Sequence, residues 1–527
     1  MPAQTPDSYD EMPYINRAFP QTHPDRLAAL ARLFGLEAPD VETCRVLELG
    51  CASGDNLLPM ALGLPGARFV GIDFSLRQVE QGRRAIAALG LANIELRHAD
   101  ITTIDASLGR FDYIVCHGIY SWVPPPVREK VLAICKQNLA PAGVAFVSYN
   151  TYPGWHLREM VRDMMVYHAA PVAGAKNKVA QARSLLEFLG QNLPADTPYG
   201  NVLREEAALV RGEDDAYLFH DHLEADNHPV YFHQFAQAAK DNGLQYLAEA
   251  DFSSMLPTNF PPPMATALRQ ISGDVVRLEQ YMDFFRARSF RQTLLTHAGR
   301  EVQRKLEPQA MQSFHFASPA VPTTGAAFHA DGVAETFRAP QGAKLTTRGA
   351  IVKAAMLVLA EAWPQALPFA ELAQAARAKL DRATGAAADP ARAAQDNTQL
   401  CNSLLQSYAV NVVELRLRSP RLAATPSARP RASPLARWQA GEGLPLTNLR
   451  HEPVKLDEAN RQVLRLLDGT RDRAALVAAM TQLARDGVLA VQPDGRPPPP
   501  GPQLEQILRE GLEENLPHFA RAALLVE

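Results

Sequence analysis

Short apolar runs alternate with helical periodicity through the first 150 residues. Val46-Leu47-Glu48-Leu49 is an apolar run carrying one acid. The small residues Gly50-Cys51-Ala52-Ser53-Gly54 then turn the chain, and Leu57, Leu58 and Met60 open a helix. Residues 67–73 repeat the pattern and end in Asp73. Ser75 and Gln78 form a Ser-x-x-Gln capping box, Val79, Gly82, Ile86 and Leu89 make a helical stripe, and Gly90 stops it. Residues 93–96 read as a third strand leading into His98-Ala99-Asp100-Ile101, 111–116 as a fourth ending at His117-Gly118, 126–139 as a helix and 143–150 as a fifth strand. Upstream, Leu27, Leu30, Leu33 and Phe34 predict a helix before the first strand. Strands alternating with helices predict an α/β fold: a Rossmann-like, doubly wound sheet whose ligand sits beyond the C-terminal strand ends.

Beyond residue 150 the pattern changes. Residues 158–211 are rich in Ala and Leu and predict an inserted helical element. Residues 231–242 predict a helix ended by Gly243, 244–250 a strand, and 279–285 a packed amphipathic helix. In the C-terminal half, helices at 349–363, 369–380 and 397–409 followed by a strand at 412–417 suggest a winged-helix-like module. The basic, Pro-interrupted tract from Arg416 to Arg437 reads as a solvated linker, because no recognition helix carries a matching basic face. Val463, Leu466 and Leu467 precede a Gly469 stop and a Thr470 cap, 496–502 is a stiff Pro-rich loop, and a last helix covers 504–515.

Composition narrows the function. A chain of 527 residues divides into about three domains or more. The net charge of −4 gives no general attraction to nucleic acid or an anionic membrane, so neither partner is expected. The N-terminal residues lack a signal pattern and no apolar run is long enough to span a bilayer, which predicts a cytoplasmic protein without membrane insertion. The five cysteines contain no Cys-x-x-Cys pair and read as free, buried thiols. His220-Asp221-His222-Leu223-Glu224-Ala225-Asp226-Asn227-His228 has metal-ligand residue types without metal-ligand spacing. It is expected to be a solvated loop or a lip facing substrate, with no metal.

The turn at 50–54 suits a dinucleotide, a flavin or S-adenosylmethionine, since Gly50 and Gly54 let a ligand approach the backbone and the helix after them offers free N–H groups. Asp73 ends the second strand where an acid accepts from ribose hydroxyls. Glu48 before the turn and Asp100 after the third strand are additional. This set of three acids resembles the class I S-adenosylmethionine-dependent methyltransferases, with Ala52 standing where the usual pattern has its middle glycine. Tyr9-Asp10-x-x-Pro13-Tyr14, Gln21-Thr22-His23-Pro24, His117-Gly118-Ile119-Tyr120-Ser121-Trp122-Val123-Pro124 and Ser148-Tyr149-Asn150-Thr151-Tyr152-Pro153-Gly154-Trp155-His156 narrow the resemblance to bacterial methyltransferases with a methyltransferase regulatory domain, a family that includes enzymes methylating lysines of outer-membrane proteins.

The resemblance implies a seven-stranded methyltransferase sheet, interrupted by the helical insertion and completed by 244–250 and an antiparallel strand at 290–295, with mostly α C-terminal domains after it. The implied division is 1–165 for the first part of the S-adenosylmethionine-binding domain, 166–227 for the insertion and 228–300 for the regulatory region. A winged-helix-like domain at 301–418, a linker at 419–450 and a helical domain at 451–527 follow. S-adenosyl-L-methionine would meet Glu48, Gly50, Cys51, Ala52, Gly54, Asn56, Asp73, Phe74, Asp100, Ile101 and His117, covered by Tyr9 and Tyr14. His117, Tyr120, Trp122, Tyr149 and Trp155 are the catalytic candidates. Aromatic loops there would favour a neutral lysine by penalising its charged form and would hold a cation before transfer. The expected acceptor is a lysine of a protein substrate, with a homodimer as a further expectation. A small-molecule N- or O-methyltransferase and a non-catalytic S-adenosylmethionine-binding regulator are the alternatives.

Overall fold

A computed structural model describes residues 11–12, 16–194, 196–325, 328, 330–385, 387, 389–491 and 501–526. Tyr9, Tyr14 and most of the Pro-rich loop at 496–502 lie outside the described residues. The chain forms two compact units. One comprises residues up to 16 with 42–57 and 66–301; the other comprises 17–41, 58–65 and the chain from 302 onward.

The first unit is built on a seven-stranded sheet. Its strands are β1 (Arg45–Leu49), β2 (Arg68–Asp73), β3 (Ile94–His98), β4 (Phe111–Cys116), β5 (Leu139–Asn150), β6 (Leu244–Glu249) and β7 (Phe290–His297), in the order β3-β2-β1-β4-β5-β7-β6. β1 to β5 run parallel, and β7 enters antiparallel between β5 and β6. Leu47 is paired with Val70 on one side and Ile114 on the other, so β1 is central, and Val46 to Leu49, Glu48 included, are buried. The strand order reverses between β1 and β4, and a ligand crevice opens at such a switch point. Local signals set the boundaries: Ser75 accepts from the Gln78 amide to start the helix Leu76–Leu89, and Gly90 ends it at φ 64°. The core joins Leu49, Ile114, Val147, Tyr149, Phe235 and Leu295 across these elements.

Three long helices, Trp155–Ala169, Ala175–Asn192 and Pro198–Gly212, form the insertion around Val161, Met165, Leu186, Leu203 and Val210. The helix Val275–Arg286 departs from the amphipathic packing expected of it. Glu279, Gln280 and Asp283 are buried, while Phe284 and Phe285 are 48% and 46% exposed. The cause is Arg291 on β7, itself fully buried. Its guanidinium donates to both carboxylate oxygens of Asp283 at 2.8 Å, to Glu249 at 2.8 Å and to Glu279 at 3.0 Å, and Arg288 adds a 2.9 Å bond to Glu249. Burial alone would raise the Glu249 carboxyl, but Arg291 and Arg288 hold it below its usual range; burial lifts Glu279 and Asp283 above theirs.

In the second unit, helices Ala350–Ala362, Phe369–Thr384 and Pro390–Ala409 and strand Glu414–Arg416 occupy the regions expected for them. The stretch read as a solvated linker is instead structured. It contains helix Pro434–Glu442, with Ala432, Ala436 and Ala440 buried in a core shared with Leu464, Leu476 and Leu516. Arg416 is buried against Glu414 (3.1 Å), its neighbour on the same strand, and Asp25 (3.7 Å), distant in sequence, which internalises the first residue of the basic tract; Arg450, beyond the tract, is buried against Glu414 (2.6 Å).

Arg291→Met would leave Glu249, Glu279 and Asp283 buried with Arg288 alone. A stranded buried charge costs about 3–5 kcal/mol, expected as a fall of about 10 °C in the melting temperature by calorimetry.

Candidate active site

The turn after β1 is held from both sides. Asp73, at the end of β2, accepts from the Ala52 amide through one carboxylate oxygen at 2.7 Å and from the Ser75 amide through the other at 2.9 Å. The Ile72 carbonyl accepts from the amides of Gly50 (2.8 Å) and Cys51 (3.1 Å). Gly50 and Gly54 take φ of 72° and 78°, and Ala52 takes 48°, so the residue in the middle glycine's place also adopts the left-handed conformation. A Cβ on Gly50 would lie 2.2 Å from Ile119 in the loop after β4, which shows how closely that loop covers the turn.

Glu48 lies directly before the turn and is buried. Asn56 donates to one of its oxygens at 2.8 Å, and the other, Oε2, has no partner among the described residues. Burial pushes the carboxyl up to about 8 against the pull of Asn56, and Asp73 and Asp55 add to the rise. Cys51 is buried, and burial lifts its thiol well above the usual range, which leaves it inert. Asn16, which the sequence did not single out, donates to the Cys51 carbonyl at 3.1 Å. Farther along the strand ends, Phe74 is 60% exposed with its ring 6.4 Å from His98. Asp100 is exposed and accepts from the Thr102 amide at 2.8 Å, as a cap of the turn that begins at Ile101.

The aromatic candidates separate into two groups. Tyr120 and Tyr149 are buried in the sheet core: Tyr149 stacks on Phe235 at 4.1 Å, its hydroxyl lies 3.0 Å from Thr293, and Tyr120 meets Phe235 edge-on at 5.2 Å. Burial raises both phenols above their usual range. In the loop after β4, His117 stacks on Phe146 at 5.7 Å with Phe290 at 6.2 Å, and Trp122 meets Trp155, the first residue of its helix, edge-on at 6.1 Å. This loop and β5 are joined by side-chain to backbone bonds: Gly118 donates to Ser148 (2.8 Å) and Asn150 to Ser121 (2.9 Å). The His220 motif is engaged in holding structure. One His220 nitrogen lies 2.8 Å from Glu224 and the other 2.6 Å from the Met12 carbonyl.

Family models match three segments: a methyltransferase domain at 46–143, a predicted methyltransferase regulatory domain at 214–297, and the PKMT C-terminal winged helix domain at 428–524. An uncharacterized protein of Rickettsia prowazekii (strain Madrid E) is 35% identical over 98% of this chain and 93% of its own length. The chain belongs to the class I methyltransferases with a methyltransferase regulatory domain. A second uncharacterized protein of R. prowazekii is 41% identical to this methyltransferase over 46% of the chain and 96% of its own length. PKMT2 from Rickettsia typhi, solved in complex with AdoHcy, has a TM-score of 0.87 and 32% identity, covering 98% of the methyltransferase and 100% of that structure. Sequence reading expected winged-helix character at 301–418, whereas the winged-helix model falls on 428–524.

Two substitutions in the turn should behave oppositely. Gly50→Ala meets both a left-handed φ and the Ile119 side chain, and should destabilise the methyltransferase by about 2–4 kcal/mol. Ala52→Gly relieves a left-handed alanine and should change stability by between zero and a gain of about 1 kcal/mol. Thermal unfolding of the two variants checks both.

Proposed function

We propose that this methyltransferase transfers methyl groups from S-adenosylmethionine to lysine side chains of a protein. The observation that carries the reading is the full-length correspondence with PKMT2, a structure in complex with AdoHcy. The turn supports the donor half. Glu48 Oε2 is buried with no partner among the described residues, and the donor's amino acid ammonium would pair with it, while Asn56 fixes the carboxyl's orientation. Gly50 and Gly54, with the backbone of Cys51 and Ala52, would admit the ligand's near side. Asp73 would accept from its ribose hydroxyls, and Phe74, Asp100 and Ile101 would receive the adenine. Tyr9 and Tyr14 would cover the ligand from the N-terminal arm.

Bound S-adenosylmethionine supplies an electrophilic methyl group on a sulfonium centre. Transfer needs a neutral amine in line with that group, so the residues around the acceptor must discharge, desolvate and orient it. Trp122 and Trp155 would flank the lysine stem and His117 would take its proton, with Tyr120 and Tyr149 holding their loops in place. Action in the cytoplasm is part of this reading, in keeping with five buried cysteines that form no disulfide. The modules after residue 302 would recruit the acceptor protein or pair two copies.

The full chain incubated with methyl-labelled S-adenosylmethionine and a fractionated bacterial lysate tests the proposal. Acid hydrolysis of the labelled protein should release the label as N-methylated lysine. Asp73→Ala should lower the rate at least about tenfold, because the ribose contact and the turn's amide partner are lost together. Label found in small metabolites and none in protein would overturn the lysine reading.

A further inference from the structure

The loops after β4 and β5 meet residues 227–230 in one hydrogen-bonded seam. Ser121 accepts through its hydroxyl from the Asn150 amide (2.9 Å) and through its carbonyl from His228 (2.7 Å). The Asn150 side chain donates to Asn227 Oδ1 (3.0 Å), Val230 donates to the Asn150 carbonyl (3.2 Å), and Trp155 donates its backbone amide to Thr151 (3.1 Å). Nearly every polar group here is spoken for, and two stand out. The indole Nε1 of Trp155, a residue 3% exposed, and the amide Nδ2 of Asn227 are both buried with no partner among the described residues. A buried N–H left unpaired costs about 1–3 kcal/mol, so two in one seam beside the acceptor loops call for a common explanation.

Both orphans are donors, so the missing partner is an acceptor. It is not the reacting amine, whose lone pair is committed to the methyl group. A carboxylate or phosphate is disfavoured by the acids of the same segments: Glu159, which accepts from Tyr152, Asp226 beside His228, and Glu224. The cation over Trp155, Arg158, is already paired with Glu206 at 3.3 Å. A neutral oxygen acceptor fits, and a peptide presents a carbonyl of that kind on each side of a lysine.

We propose that Trp155 and Asn227 are substrate-binding residues that donate their side-chain N–H groups to main-chain carbonyls flanking the acceptor lysine. This rests on the protein-lysine reading above. It gives the His220 to His228 motif a role that neither metal binding nor the donor site supplies: it places Asn227 at the acceptor. Binding through main-chain carbonyls selects lysine within a peptide over a free amine, and it tolerates variation in the flanking side chains.

The test uses the full chain, labelled S-adenosylmethionine, and octapeptides with a central lysine and randomised flanks. Trp155→Phe keeps the ring and removes the N–H; Asn227→Asp keeps the acceptor for Asn150 and removes the donor. Each should raise KM for the peptide pool about fivefold, the share of one neutral hydrogen bond, with the affinity for S-adenosylmethionine unchanged. An unchanged KM in both variants overturns the inference and leaves the lysine reading standing. No label in the pool from a wild-type chain that binds S-adenosylmethionine normally overturns the lysine reading, and this inference with it.

Discussion

The carboxylate of Asp73 holds two turns in register. By accepting from Ala52 and Ser75 it fastens the glycine turn after β1 to the start of the helix after β2, so the residues that would meet a methyl donor are fixed relative to one another before any ligand arrives. Such preorganisation suits a displacement in which the protein mainly places two reactants. The Ile72 carbonyl and Asn16 complete the clamp, and Ile119 closes over Gly50 from the neighbouring loop. Glu48 can therefore stay buried and half-partnered, because the backbone around it is satisfied elsewhere.

What could be read from the sequence was what local chemistry decides. Apolar runs gave the strands, Ser75 and Gly90 marked the ends of a helix, and the crossover pattern required a sheet with its ligand at one edge. The glycine turn and its acids fall at that edge. Periodicity misled where a partner distant in sequence reversed the usual sense of polar and apolar. Glu279 and Asp283 face inward because Arg291 lies opposite them, and this displaces Phe284 and Phe285 to the outside. Arg416 is buried with Asp25, distant in sequence, and Glu414, two residues before it, as its partners.

The candidate site was legible by residue type and less so by orientation. Tyr120 and Tyr149 share motifs with Trp122 and Trp155, yet the alternation along β5 sends Tyr149 into the core against Phe235. Asn16 carried no signal in one sequence, since the Cys51 carbonyl to which it donates lies 35 residues away and is brought to it only by the fold. The His220 motif was expected to be a solvated loop or a lip facing substrate; His220 and His222 are instead buried, and His220 bridges Glu224 and the Met12 carbonyl.

The central claim is that buried Glu48 receives the donor's ammonium. Burial raises its carboxyl to about 8 and so favours the protonated form in the free protein below that pH. The sign follows from linkage: stability contributed by the raised group is complete below the ordinary carboxyl range and is lost as pH rises through about 8. Pairing with an ammonium reverses the preference, so binding must expel the proton. Calorimetric titration of S-adenosylmethionine at about pH 6.5, in two buffers of different ionisation enthalpy, measures this directly, and the account predicts release of close to one proton by the wild-type chain and none by Glu48→Gln. Binding without proton release, or equal release by Glu48→Gln, would contradict it.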